Sequence, residues 1–239
     1  VFQTSIPTRL GLYRWMASNN PDMIGLTPAH SYGVKWGFSF EDLLKINLKG
    51  KTALITGANS GIGYAFADLI SQQGGDVVMA CRNDSKCEKA AARIKETARG
   101  SVTTMNIDTA SLASVKQFAR EFLKMLGEDK ALDMLFLNAG VSGYLPHLEC
   151  IPLSVDGIES VFATNYLGHH FLYRLLEPAL TRAPTARVVS TSSAAGFQTY
   201  SYQVATDLET LNSCSEPFIP VSVIPINYSY GQSKLAQIV

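Results

Sequence analysis

A glycine-spaced turn, Thr56-Gly57-Ala58-Asn59-Ser60-Gly61-Ile62-Gly63, joins two stretches of different periodicity. Before it, Thr52–Thr56 holds Ala53, Leu54 and Ile55 together and reads as a short buried strand. After it, Ile62, Ala65, Phe66, Leu69 and Ile70 recur at three and four residues, the period of a helix with one apolar face. Gly74-Gly75 ends that helix near Gln73.

The same alternation runs on. Val77–Cys81 reads as a second strand, and Ser85 with Glu88 forms a capping box for a helix reaching about Ala98. Val102–Ile107 is a third strand. Ser111 caps a helix with Val115, Phe118, Ala119, Phe122 and Leu126 on one face. Leu132–Leu137 is a nearly continuous apolar run, as expected of a parallel strand covered on both sides. A long helix is predicted from about Val155 to Leu180, bent or shortened near Pro178, then a fifth strand at Arg187–Thr191. Residues 197–227 read as irregular, and Tyr228 to Val239 as the start of a helix. Strands alternating with helices predict a doubly wound parallel α/β sheet in three layers, with right-handed crossovers.

The chain has 239 residues, 46% apolar and 17% charged, a globular composition. Twenty basic side chains balance twenty acidic ones, which argues against electrostatic capture of nucleic acid or an anionic membrane. No apolar run is long enough for a membrane span. Cys81, Cys87, Cys150 and Cys214 form no C-x-x-C pair and no zinc pattern, so no metal site is predicted. Reduced thiols in a cytoplasm-like compartment are the expectation. Val1 is not Met, which leaves an organellar or membrane-associated form open if a segment precedes it. Residues 1–48 form an aromatic-rich extension, read as packing on the body of the domain or as a flexible tail. The domain proper is read as 49–239.

The glycine turn carries chemistry. Gly57, Gly61 and Gly63 let the backbone approach an anion closely, and the helix that follows aims its unpaired N–H groups and positive dipole end there. With Asn59, Ser60 and Ile62, they are read as a dinucleotide pyrophosphate cradle. At the end of the second strand, NAD-binding sheets place a carboxylate for the ribose 2′-OH. Here Cys81 is followed by Arg82 and Asn83. A guanidinium fork suits a 2′-phosphate, so NADP(H) is favoured over NAD(H).

Tyr230 and Lys234 share a helix face. A free phenol, with a pKa of about 10, is a poor base at neutral pH. A neighbouring ammonium favours the phenolate, so Tyr230 can take a proton from an alcohol or give one to a carbonyl. A serine hydroxyl could stabilise charge on the substrate oxygen, and Ser192 and Ser193 compete for that role.

Five blocks occur in order: the glycine turn, Asn138-Ala139-Gly140, Asn165 within Asn165-Tyr166-Leu167-Gly168-His169, Ser190 to Gly196, and Tyr230 to Lys234. From about Lys51 to Val239 the chain resembles the short-chain dehydrogenase/reductase family. Ala80-Cys81-Arg82-Asn83 and the Asn165 block are similar to its retinol-dehydrogenase-like and WW-domain-oxidoreductase-like members. The resemblance implies a Rossmann-type fold and an NAD(P)-dependent oxidoreductase acting on an alcohol, aldehyde or ketone of a fairly apolar small molecule. It implies Asn165, Ser193, Tyr230 and Lys234 as the catalytic set, with Ser193 preferred to Ser192. It also implies that Lys234 bonds the nicotinamide ribose with Tyr230 beside it, and that Asn165 holds a relay water. Asp108 would meet adenine, and Asn138-Ala139-Gly140 would support the sheet and the adenosine side. Dimers or tetramers are implied by relatives. His169 and His170 are read as packing residues.

The chain departs from the family in two places. Ser193 and Tyr230 stand 37 positions apart, about three times the usual spacer. The family pattern also continues past Lys234, so the chain is expected to be a fragment, truncated at the C-terminus. A non-catalytic dinucleotide sensor or scaffold, and a light-driven pigment reductase of the same family, are the alternative readings. A sugar-nucleotide epimerase is disfavoured by the glycine spacing.

Overall fold

The computed structural model describes residues 45–142, 152–193, 195–196, 204–205, 207–213 and 228–238. The chain divides into two compact units, Val1–Ile46 and Asn47–Val239. The aromatic extension therefore falls almost wholly outside the described residues, as does most of the 197–227 insertion.

Five strands form one parallel sheet: β1 (Thr52–Thr56), β2 (Asp76–Cys81), β3 (Val102–Asn106), β4 (Met134–Leu137) and β5 (Arg187–Ser190). Their order is β3-β2-β1-β4-β5, and every pairing is parallel. The chain steps outward from β1 to β3, then returns across β1 to lay down β4 and β5. The switch point lies between β1 and β4, where doubly wound sheets open a crevice at the carboxyl ends of the strands.

Side-chain alternation along the strands explains why both faces are covered. Leu54, Val78, Ala80, Leu135 and Leu137 point to one face, onto Phe118 and Phe122 of α3 (Leu112–Leu126) and Leu172 and Leu176 of α5 (Gly168–Leu180). Their neighbours Ala53, Ile55, Val77, Met79 and Phe136 point to the other, onto Ala67 and Ile70 of α1 (Gly61–Gln72) and Ala91 and Ile94 of α2 (Asp84–Lys95). Each fully buried large side chain contributes about 2–3 kcal/mol of apolar transfer. The three-layer Rossmann-type architecture read from the sequence is thus the one observed. β5 occupies an edge of the sheet, and Val188 and Val189 are exposed there.

Three local expectations need correction. The cap of α2 is Asn83, not Ser85: Asn83 is extended and its side chain accepts from the Lys86 N–H, so the helix starts earlier. The long helix starts at Ser160, not Val155. Gly157, at φ 73°, turns the chain ahead of it, and the buried Glu159 carboxylate accepts from the N–H groups of Val161 and Phe162. That helix is composite: α4 (Ser160–Phe162), a π turn (Ala163–Leu167) and α5, which continues through Pro178 to Leu180. Finally, Cys81 and Cys87 are joined in a disulfide where free thiols were expected. The end of β2 and the first turn of α2 bring their Cα atoms to 6.0 Å, a distance a disulfide spans readily.

Short α6 (Leu208–Asn212) and α7 (Tyr228–Ala236) complete the described elements. No described helix is long and apolar enough to cross a membrane.

Candidate active site

Thr56, the last residue of β1, is fully buried and stitches the carboxyl ends of β1 and β4 together. Its hydroxyl accepts from the N–H groups of Asn138 (2.8 Å) and Ala139 (3.0 Å). The Asn138 amide donates to the Thr56 carbonyl at 3.0 Å and accepts from the Thr191 hydroxyl at 3.3 Å. Asn138 therefore ties β1, β4 and β5 at the switch point.

A cleft of about 250 Å³ opens there, lined among others by Gly57, Asn59, Ser60, Arg82, Asp108 and Asn138-Ala139-Gly140. Eight of the residues read as cofactor contacts thus meet in one crevice. Gly57 has φ 66°, and a Cβ on it would lie 2.9 Å from the Ala139 Cα. A Cβ on Gly63 would lie 2.5 Å from the Gly57 carbonyl oxygen. These glycines let α1 press on the strand ends, with its N-cap Ser60 lining the cleft. Ser60 is the N-cap of α1, but its side chain makes no capping bond, so the first-turn N–H groups are left for another acceptor. Gly61, Ile62 and Asn83 do not line the cleft: Gly61 supplies a φ of 55°, Ile62 is exposed and Asn83 caps α2. Asp108 is held by three local bonds: its N–H donates to the Ser114 hydroxyl, its carboxylate accepts from the Ala110 N–H, and its carbonyl accepts from the Ser111 N–H. Arg82 is exposed at the rim beside the disulfide.

Beyond Gly140 the cleft meets α7. Lys234 is buried there, its Nζ donating to the Thr191 carbonyl at 2.6 Å and lying 5.6 Å from the centre of the Tyr230 ring. Burial pushes its pKa down to about 8. Asn165, fully buried in the π turn, accepts from the Val141 N–H at 2.8 Å and donates to the Val141 carbonyl and the Ser233 hydroxyl, both at 2.9 Å. The Ser233 hydroxyl in turn donates to the Tyr230 carbonyl at 2.8 Å. Ser192 donates its hydroxyl to the Lys234 carbonyl at 2.8 Å, while the Ser193 hydroxyl accepts from the Ala195 N–H at 3.2 Å and the Ser193 carbonyl from the Gly196 N–H at 3.0 Å. Asn165, Tyr230 and Lys234 are therefore joined through α7, with Ser192 bonded to the same helix.

Sequence reading passed over Thr56 as a hub, Thr191 as the acceptor for Lys234, and Ser233 and Gln237 as partners of Asn165. A threonine closing the strand before a glycine turn was the available signal for the first. The others face their partners only once the sheet is assembled.

Residues 51–205 match the family model described as short chain dehydrogenase. This chain belongs to the short-chain dehydrogenase family. It is 37% identical over 193 residues to mouse retinol dehydrogenase 13, covering 80% of this chain and 52% of that protein. It is 42% identical over 148 residues to the chicken WW domain-containing oxidoreductase, covering 62% and 34% respectively. The chain thus spans about half the length, or less, of these relatives. Among solved structures, the Pseudomonas aeruginosa RhlG/NADP active-site complex aligns with a TM-score of 0.59 at 26% identity, over 80% of this chain and 64% of that one. A Burkholderia phymatum short chain dehydrogenase/reductase in complex with NAD aligns with a TM-score of 0.58 at 26% identity, over 81% and 58%.

The buried ammonium has a consequence for stability. Lys234 titrates near pH 8 in the fold against an ordinary value of 10.5. Below pH 8 both states carry the proton, and the cost of burying the charge is fully present. Between the two values the unfolded chain binds more protons, so stability rises with pH. The rise is expected to be on the order of 1 kcal/mol after solvent screening, and absent in Lys234→Met. Urea midpoints of both proteins from pH 7 to about 10 check this; parallel curves would contradict it.

Proposed function

We propose that this chain is the dinucleotide-binding and catalytic part of an NADP(H)-dependent oxidoreductase, exchanging hydride with an alcohol or carbonyl group of a fairly apolar small molecule. One observation carries the reading: a buried lysine ammonium stacked under a half-buried tyrosine ring, at the end of a glycine-walled cleft. The residues present fit a dinucleotide, because the first-turn N–H groups of α1 have no side-chain cap and stand next to a glycine turn whose Gly57, Asn59 and Ser60 line the cleft. A bound nicotinamide would supply or accept the hydride.

The protein's own groups supply the rest. Gly57, Asn59, Ser60 and the first turn of α1 hold the pyrophosphate, with Gly61, Ile62 and Gly63 shaping that turn. Arg82, with Asn83 beside it, meets a 2′-phosphate. Asp108 meets adenine, and Asn138-Ala139-Gly140 walls the ribose. Tyr230 donates its phenolic proton to a carbonyl oxygen in reduction, or takes the hydroxyl proton in oxidation. The positive charge of Lys234 favours the phenolate and so eases either transfer. Ser193, whose hydroxyl is given to no carbonyl among the described residues, donates to the substrate oxygen. Asn165 holds α7 against the β4 end.

The test is the full-length protein assayed with NADPH and NADH against aldehydes and ketones of graded size. Turnover with NADPH is expected, and Arg82→Asp is expected to shift the NADPH/NADH preference at least about tenfold toward NADH. Tighter NADH binding by the unaltered protein would remove the 2′-phosphate argument, and no turnover with any carbonyl would remove the enzymatic one.

A further inference from the structure

His169 lies in α5, four residues after Asn165, and is 2% exposed. Its two ring nitrogens meet two different parts of the site. Nδ1 lies 2.9 Å from the Asn165 main-chain oxygen, and Nε2 lies 2.9 Å from the Thr56 hydroxyl.

The proton positions follow from what each partner can do. A carbonyl oxygen only accepts, so Nδ1 carries a hydrogen. Burial, reinforced by the charge of Lys234 and opposed by the bond to Asn165, pushes the His169 pKa down to about 4. The ring is therefore neutral near pH 7, and Nε2 is a bare acceptor. The Thr56 hydroxyl must then donate to it. That assignment completes Thr56: both lone pairs already receive the Asn138 and Ala139 N–H groups. The competing acceptor for the same proton, the Phe136 carbonyl, is farther away at 3.2 Å. The Asn165 oxygen is completed from the other side by the Gln237 amide at 2.8 Å.

We propose that His169 is a positioning residue: as the Nδ1–H tautomer it links the Asn165 carbonyl to the Thr56 hydroxyl, so that one hydrogen-bonded chain sets both the floor of the dinucleotide cleft and the π turn that holds α7. The inference rests on the oxidoreductase reading for its effect on turnover, but not for the tautomer itself. Every bond in the chain has a fixed direction, from the Asn138 and Ala139 N–H groups through Thr56 and His169 to Asn165. A second proton on the ring would break it, because Nε2–H would face an oxygen whose lone pairs are already filled. The Asn165 carbonyl takes its donors from His169 and from Gln237 beyond α7, while its side chain reaches Val141 and Ser233.

Two substitutions separate the ring's two bonds. The amide nitrogen of asparagine stands at the position of Nδ1 along the side chain, and the terminal atoms of glutamine stand at the position of Nε2. His169→Asn keeps a donor for Asn165, whereas His169→Gln keeps a partner for Thr56. His169→Asn is expected to retain turnover within about threefold, while His169→Gln lowers kcat roughly tenfold with NADPH affinity changed less than kcat. Equal losses in both variants, in step with equal falls in melting temperature, would reduce His169 to packing and overturn the proposal. The second measurement needs neither variant to be active. Histidine ¹⁵N–¹H correlation spectra of the ligand-free protein should show one neutral ring with Nδ1 protonated and Nε2 bare from pH 8 down to about 5. An Nε2–H tautomer, or a doubly protonated ring near neutral pH, would also overturn it. Failure of the oxidoreductase reading appears elsewhere, as absent turnover in the unaltered protein.

Discussion

Tyr230→Phe is expected to lower kcat for carbonyl reduction by about 10²–10⁴-fold while changing the NADPH dissociation constant less than about threefold. The substitution removes one oxygen and leaves the ring that Lys234 packs against. The cleft floor is built by Thr56, Asn138 and the glycines of the β1–α1 turn, none of which bonds the phenol in the described structure. α7 is held by other contacts: Ser233 to Asn165, Ser192 to the Lys234 carbonyl, and Gln237 to the Asn165 carbonyl. Binding and folding should therefore survive, and only proton transfer should fail. Stopped-flow turnover beside NADPH fluorescence titration makes the comparison. Near-normal turnover would move the acid–base role away from Tyr230. A matching loss of binding would mean that the phenol organises the cleft. A pure dinucleotide sensor would show binding in both proteins and turnover in neither.

The parts of this architecture that are local in sequence were readable from it. The β1 strand, its glycine turn and α1 are contiguous, and each glycine has a backbone reason visible in the spacing. Ser111 was readable as a cap because its hydroxyl meets the N–H three residues on. Asn83 was missed because Ser85 with Glu88 offered a rival capping signal two residues later, and the extended conformation of Asn83 decides between them. The π turn was not readable at all. It lies where Asn165 bonds residues 24 and 68 positions away, contacts that helical periodicity cannot register. His169 and His170 were both expected to pack; His169 is buried and His170 exposed, and the Thr56 partner of His169 lies 113 positions away, so the reason for a histidine there was not legible. The Cys81–Cys87 bond follows from how α2 docks on β2, whereas the sequence offered only two cysteines outside any known spacing.

Gly63→Ala should be the most damaging single-methyl change in the cleft, and Gly61→Ala two residues earlier should be mild. The difference is one of physical cause. Gly61 has φ 55° but open space around it, so a methyl group there meets only the backbone penalty, roughly 1–2 kcal/mol. Gly63 has no such φ, but its Cβ would sit 2.5 Å from the Gly57 carbonyl oxygen and 2.6 Å from the Asn138 amide nitrogen. Neither neighbour can yield cheaply. The first is backbone of the phosphate turn, and the second is bonded to the Thr56 carbonyl at 3.0 Å. α1 must lift off the strand ends, or Asn138 must release β1. Overpacking of this kind costs about 1–3 kcal/mol, a fall in melting temperature of roughly 2–12 °C for a domain of this size. Either relaxation also moves the first-turn N–H groups away from the pyrophosphate, so NADPH affinity should fall at least about tenfold. Calorimetry and fluorescence titration on the two variants read both effects. If Gly63→Ala melted with the unaltered protein and bound NADPH equally well, the close approach of α1 to Gly57 would not be what forms the cleft.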